Sequence, residues 1–186
     1  MNLNYMNNYI TNYLNKLSEF LIGFNKKDII EIIKILKKIK NNRKKIILVG
    51  NGGSAAIASH AAVDFTKAAG YRAQCFNEAG LLTCFANDFG YEAWVAKAIE
   101  YYAEPNDVVI LISSSGKSPN IINGAKQTKE MGLSLITFSG FSAENALRDL
   151  GDVNFWCDSD HYNVVENSHQ IWVLMLVDLL IHLRES

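Results

Sequence analysis

Apolar side chains recur at helical spacing at Tyr9, Ile10, Tyr13, Leu14, Leu17, Phe20 and Leu21, and Gly23 follows as a stop. The pattern predicts an amphipathic helix. A second helical stripe, Ile29, Ile30, Ile32, Ile33, Leu36 and Ile39, has lysines between its members. The period then changes. Lys44–Val49 is a short β-branched run that ends in Gly50-Asn51-Gly52-Gly53-Ser54, and a helix of small residues runs from Ser54 past His60 and Asp64 towards Ala69. A strand is expected at Arg72–Phe76, and helices around Leu81–Ala86 and Glu92–Tyr102. Asp107–Ile112 is an unbroken apolar run of the kind buried on both faces of a sheet, and it ends in a serine-rich loop. The remaining pattern predicts a helix from Ser118 to Met131, a strand at Leu133–Phe138, a short helix near Glu144–Leu150 and a strand at Val153–Trp156. A long, mostly apolar helix is expected from about Tyr162 to Arg184.

Strands that alternate with helices predict an α/β domain with a parallel sheet, preceded by a helical hairpin. No linker, repeat or low-complexity tract interrupts it. One domain over residues 1–186 is expected, with N-terminal helices over 1–42 and an α/β core over 43–186.

Composition narrows the function. Apolar residues are 49% and charged residues 20% of the 186, enough for a full-sized core. Lys plus Arg is 18 against 19 for Asp plus Glu, which argues against a nucleic-acid partner held by a basic surface. The lysines of 37–45 read as a solvated helix end. The three cysteines, Cys75, Cys84 and Cys157, are far apart and form no CxxC pair, so they read as buried thiols of a reducing compartment. The first residues show no secretory signal, and the longest apolar stretch, Ile171–Ile181, is too short to span a bilayer. A soluble cytoplasmic protein without a membrane partner is expected. Trp94, Trp156 and Trp172 are expected in the core or at an interface.

Two glycine- and serine-rich loops each follow a strand and open a helix, which puts them at the carboxyl edge of a parallel sheet. Free N–H groups and the positive end of a helix dipole favour an anion there. The hydroxyls of Ser113, Ser114, Ser115 and Ser118 add uncharged donors suited to a phosphate monoester. Gly116-Lys117-Ser118 looks like the end of a P-loop, but Leu111 stands where that motif needs glycine. Gly50-Asn51-Gly52-Gly53-Ser54-Ala55 fits a dinucleotide fingerprint. Its acidic partner would be Glu78, farther along than the usual spacing of about 20 residues, and Asn51 and Ser54 look more like sugar or phosphate donors.

Taken in order, Gly50-Asn51-Gly52-Gly53-Ser54-Ala55-Ala56, His60, Asn87-Asp88-Phe89-Gly90-Tyr91 and Ser113-x-Ser115-Gly116-x-Ser118-Pro119-Asn120 resemble the sugar isomerase (SIS) family over essentially the whole chain. Within that family the closest likeness is to the bacterial phosphoheptose isomerases, which interconvert sedoheptulose 7-phosphate and a mannoheptose 7-phosphate. The resemblance implies a flavodoxin-like three-layer α/β/α sandwich with a mainly parallel sheet and an N-terminal helical hairpin. It also implies a homotetramer, or at least a homodimer, with sites at subunit interfaces. Ser113, Ser114, Ser115 and Ser118 would hold the substrate phosphate. Asn51, Gly52 and Gly53, with Asn87 and Asp88, would line the sugar site.

The chain departs from the family where chemistry is done. Phosphoheptose isomerases place zinc on a His and a Glu of the first core helix and on a Gln and a His of the last. The matching positions here are His60, Asp64, Glu166 and Leu174. Tyr162, Glu166 and His169 share one face of the last helix, which keeps polar groups near the expected site. Aldose–ketose isomerisation needs one base and one group that moves protons between neighbouring oxygens, and no cofactor. Glu166 is expected as the base, with Asp64 second, and His60 or His169 as the group that polarises the carbonyl. A metal, if bound, would fall to His60, Asp64, Glu166 and His169. The expected activity is isomerisation of a sugar phosphate for surface-polysaccharide synthesis. The alternatives are a tetrameric, non-catalytic phosphosugar-binding regulator and a dinucleotide-binding subunit.

Overall fold

The computed structural model describes residues 3–185. Two helices come first, α1 (Leu3–Ile22) and α2 (Lys26–Asn41), with Asn25 capping α2 by accepting from the Lys27 N–H. The alternating part follows as β1 (Lys45–Gly50), α3 (Gly53–Lys67), β2 (Arg72–Cys75), α4 (Ala79–Phe89), α5 (Trp94–Tyr102) and β3 (Val108–Ser113). It continues through α6 (Pro119–Glu130), β4 (Ser134–Ser139), α7 (Ala146–Leu150), β5 (Val153–Trp156) and α8 (Tyr162–Glu185). Each element expected from the sequence pattern is present, with boundaries moved by a few residues.

The five strands form one sheet in the order β2-β1-β3-β4-β5, and every pairing is parallel. β1 and β3 run in register from Ile46 opposite Val108 to Gly50 opposite Ile112, so their carboxyl ends and the loops that leave them lie side by side. The chain order reverses between these two strands, and this switch point is where open parallel sheets leave a crevice. β3 is buried at all six residues, as its unbroken apolar run predicts. Asp107 fixes the opposite end of the same strand pair. Its buried carboxylate accepts from the backbone N–H groups of Lys45 and Glu104, and it pairs with Lys45 Nζ at 2.6 Å.

Alternate strand residues feed two cores. On one face Ile46, Leu48, Ile110, Ile136 and Phe138 pack under α2, α3 and α8, and on the other Ile47, Val49, Val109, Leu111 and Leu135 pack under α4, α5 and α6. The hairpin is tied to the first core by aromatic contacts. Phe24 meets Phe155 and Trp172, and the Trp172 indole donates to the Leu21 carbonyl at 3.1 Å. Trp94 and Trp172 are buried as expected, whereas Trp156 is half-buried beneath the Arg148 guanidinium.

Three sequence expectations change here. The stripe of α1 packs by only one side: Tyr13, Leu17, Phe20 and Leu21 meet the core, while Tyr9, Ile10 and Leu14 face outward at 51–63% exposure. Of the three cysteines only Cys157 is buried; Cys75 is half-buried and Cys84 is exposed. Finally, α8 as a whole is long and apolar enough to cross a membrane by length and composition, although half of its apolar window is buried inside this fold. At the β2 edge of the sheet, the Thr66 hydroxyl turns across from α3. It accepts from the Ala73 N–H at 3.2 Å and donates to the Ala73 carbonyl at 3.3 Å.

Candidate functional site

The loop after β1 is shaped by glycine. Gly52 has φ 53° and ψ −123°, a conformation that a side chain would strain, and it caps α3 without offering a side-chain acceptor to the helix. Within the first turn of α3 the Ala55 N–H is already taken by the Asn51 and Gly52 carbonyls, which leaves those of Gly53 and Ser54 open to an acceptor. The loop is held from both sides. Asn77 accepts from the Gly50 N–H and donates to its carbonyl, at 3.1 and 2.7 Å. Asn51 exchanges two amide hydrogen bonds with Asn120, each 2.9 Å, and also accepts from the Tyr91 hydroxyl at 3.1 Å. Because Asn120 is buried in the first turn of α6, this amide pair fastens the two loops to each other.

The loop after β3 supplies the hydroxyls. Ser113 and Ser114 are buried, and Ser115 and Ser118 are nearer the surface. Ser118 caps α6 by backbone position, but its hydroxyl makes no capping bond, and Pro119 at the first helical position needs none. Gly116, at φ 63°, lets the chain turn against the buried Asn145 side chain. Asn145 in turn donates to the Ser142 carbonyl and accepts from the Arg148 N–H.

Between the loops lies a cavity of about 90 Å³, lined by Asn51, Ser54 and the four serines, and on the α8 side by Tyr162 and Glu166. Its size suits one tetrahedral anion rather than a whole sugar. The Ser114 hydroxyl donates to Glu166 Oε1 at 3.4 Å. The Glu166 carboxylate lies so close over Gly53 that any side chain there would overlap it. It thus occupies the positive end of α3, where a negative charge is favoured. Tyr162 packs edge-on to Phe141 and also walls a larger cavity of about 440 Å³ towards Tyr9, Tyr13 and Lys16 of α1.

A second polar group lies farther along α3. His60 Nε2 is 3.2 Å from Asp64 Oδ2, and His60 Nδ1 is 3.2 Å from the Gln170 amide nitrogen of α8. From Gly53 to His60 the helix rises about 10 Å. The serine pocket and the His60–Asp64 pair therefore lie about 10 Å apart along α3.

Not every expected site residue joins these groups. His169 is fully buried in the first core, with Nε2 on the Ser139 carbonyl at 3.0 Å and its ring against Phe138 and Trp172. Burial pushes its pKa down to about 4, so it is a neutral core histidine and not a group that faces the cavity. Its Nδ1 has no protein partner. Asn87 and Asp88 are exposed on α4 and bond each other at 2.9 Å outside the serine pocket; Tyr91, from the turn that follows them, is the residue that reaches Asn51. Glu78 caps α4 by accepting from the Gly80 and Leu81 N–H groups. These bonds hold its carboxyl below the usual range, and they leave a dinucleotide ribose without its expected partner. Asn120, Tyr91 and Gln170 are the contacts that residue-by-residue reading missed. The first two lie inside the quoted motifs, and Gln170 lies one turn beyond Glu166.

The zinc implied by the resemblance meets only two strong donors, His60 and Asp64. These two bond each other, Gln170 adds one amide beside them, Leu174 stands at the second histidine's position, and His169 is in the core. Among the described residues no three His, Cys, Asp or Glu side chains cluster. A catalytic zinc site needs three strong protein ligands.

The model of the SIS domain matches residues 8–140. Among named relatives, a "Probable phosphoheptose isomerase" of Thermoplasma acidophilum is 32% identical over 175 residues, covering 90% of this chain and 95% of that one. A phosphoheptose isomerase of Thermodesulfovibrio yellowstonii is 34% identical, covering 75% and 72%. Among solved structures, a phosphoheptose isomerase from Francisella tularensis superposes with a TM-score of 0.85 at 21% identity, covering 97% of this chain and 98% of that one.

Proposed function

The chain belongs to the SIS-domain family, and on that premise we propose that it is a sugar-phosphate isomerase whose substrate is sedoheptulose 7-phosphate or a ketose phosphate of similar length. The observation that carries the reading is the spacing between the serine pocket and the His60–Asp64 pair. An extended chain advances about 1.2 Å per bond, so the eight bonds from C1 of a heptulose 7-phosphate to its phosphorus span about 10 Å. That equals the rise of α3 from Gly53 to His60, about 10 Å. A pentulose 5-phosphate is two bonds shorter and does not reach both ends in extended form.

In this reading the serine hydroxyls and the N-terminal N–H groups of α6 hold the phosphate. They are donors that bind an anion without neutralising it permanently, which permits release. Asp64 is the base. One of its carboxylate oxygens is held by His60, and the other takes the proton from the carbon next to the carbonyl. The electron pair moves into a cis-enediolate, and the proton of the neighbouring hydroxyl passes to the former carbonyl oxygen. Return of the carbon-bound proton from Asp64 to the neighbouring carbon completes the exchange, as the oxygen that gave up its proton becomes the new carbonyl. Glu166 stands with the phosphate anchor, not with His60 and Asp64, and it accepts from sugar hydroxyls near that end. The outward apolar side of α1 supports association of subunits, which the proposal takes as a homotetramer; a cytoplasmic location and use of the product in surface-polysaccharide synthesis belong to the same proposal.

Proton NMR in deuterated water, with five-, six- and seven-carbon ketose phosphates, tests the reading. Solvent deuterium is expected beside the carbonyl, fastest with the seven-carbon substrate. Asp64→Asn is expected to abolish exchange while phosphate-ester binding survives, and Ser115→Ala to raise KM. Absence of exchange across the panel at high protein concentration overturns the proposal.

A further inference from the structure

The three-residue contact farther along α3 has a direction built into it. A carboxylate only accepts hydrogen bonds, so the His60 nitrogen beside Asp64, Nε2, carries the imidazole proton. Neutral imidazole then has a lone pair at Nδ1, and it is this nitrogen that the Gln170 amide nitrogen approaches at 3.2 Å. The chain of donors runs one way: Gln170 N–H to His60 Nδ1, then His60 Nε2–H to Asp64 Oδ2. The second carboxylate oxygen of Asp64 is left to accept from something else. His60 is exposed and sits on a helix of small residues, so neither neighbouring bulk nor burial fixes its ring, and these two contacts do.

We infer that Gln170 is a positioning residue of the isomerase: it holds His60 in the Nε2–H tautomer, so that His60 orients the Asp64 base with no metal ion. The inference rests on the reading of Asp64 as the base. Gln170 comes from α8, whereas His60 and Asp64 share α3, so the contact also links the two helices at the reacting end of the site. Replacing the amide by an acceptor inverts the demand on Nδ1. A carboxylate at position 170 has no N–H to give Nδ1, so it no longer supports the Nε2–H form. A merely structural side chain at this half-buried position has no such effect.

Long-range proton–nitrogen correlation spectra of the imidazole, taken without substrate on protein treated with a chelator, read the tautomer directly. Wild type is expected to show His60 as the Nε2–H form. Gln170→Leu and Gln170→Glu, which both withdraw the donor at Nδ1, are expected to lower the share of that form. With sedoheptulose 7-phosphate, Gln170→Leu is expected to lower kcat about tenfold with KM within twofold, in line with the usual effect of removing a group that orients a catalytic side chain. Identical His60 spectra in wild type, Gln170→Leu and Gln170→Glu overturn the inference, and so does wild-type kcat in Gln170→Leu. Loss of wild-type activity on chelation, restored by zinc, overturns its metal-free part. The spectra need no substrate, so a wild-type protein inactive on every ketose phosphate removes the isomerase reading while the tautomer is still decided.

Discussion

His169 shows how one turn of helix separates a site residue from a core residue. It shares a face of α8 with Tyr162 and Glu166, yet that face runs from the rim of the sheet to its middle: Glu166 reaches over the loops, while His169 already lies above Phe138. The imidazole is held neutral, with a pKa of about 4 against an ordinary 6.5. Between these values the unfolded chain binds a proton that the native protein refuses. Stability is therefore complete above about pH 6.5 and falls as the pH drops to about 4, by on the order of 3 kcal/mol. Urea midpoints measured across this window are expected to fall less steeply in His169→Gln, which keeps a donor for the Ser139 carbonyl and does not titrate. Parallel slopes would place the titration elsewhere. Sequence spacing identifies a shared face but not the depth along it, which is why Glu166 and His169 were expected together although only Glu166 reaches the serine pocket. Gln170 was passed over for the opposite reason, since a glutamine on a long helix reads as solvated until the neighbouring helix is known.

At the scale of elements, legibility followed burial. β3 announces itself because a strand covered on both faces tolerates no polar position, and the loops announce themselves by glycine and serine. α1 was read correctly as a helix, but its stripe is wider than the single face that the core of this chain uses, and periodicity does not say what covers the rest. The start of α3 is the element on which binding depends. Its first residue, Gly53, leaves room for the Glu166 carboxylate, and an alanine there would favour the helix while displacing that carboxylate from Ser114. Gly53→Ala is expected to weaken phosphate-ester binding about tenfold, or ~1.4 kcal/mol, with little change in melting temperature. Calorimetric titration with the ketose phosphate, set beside a thermal melt, checks both halves. Unchanged affinity would show that the carboxylate's position is immaterial.

For the whole molecule, the sheet order places both functional loops at the one point where neighbouring strands lead to opposite faces. The amide pair Asn51–Asn120 then makes the crevice a fixed object and not a gap between mobile loops. The site is thus assembled from helices of both layers: α3 and α8 from one, α6 from the other. This explains why ordered motifs scattered over the chain carry more information than any one loop. It also explains why the contact between α3 and α8 was beyond reach of the sequence, because packing of two helices against each other leaves no local pattern.

A parallel sheet is an unfinished polymer: its last strand offers the groups on which another chain can begin. The Thr66 hydroxyl answers the outward N–H and C=O of Ala73 with a single atom, in the middle of a strand only four residues long. An incoming strand must first displace that atom, and the polymer stops at five. Thr66→Val keeps the shape of the side chain and withdraws the hydroxyl. It is expected to leave the folded protein active but to lower the temperature at which light scattering rises on heating; an unchanged onset would mean that the edge is guarded elsewhere. A methyl in place of one oxygen would then separate a protein that ends from one that continues.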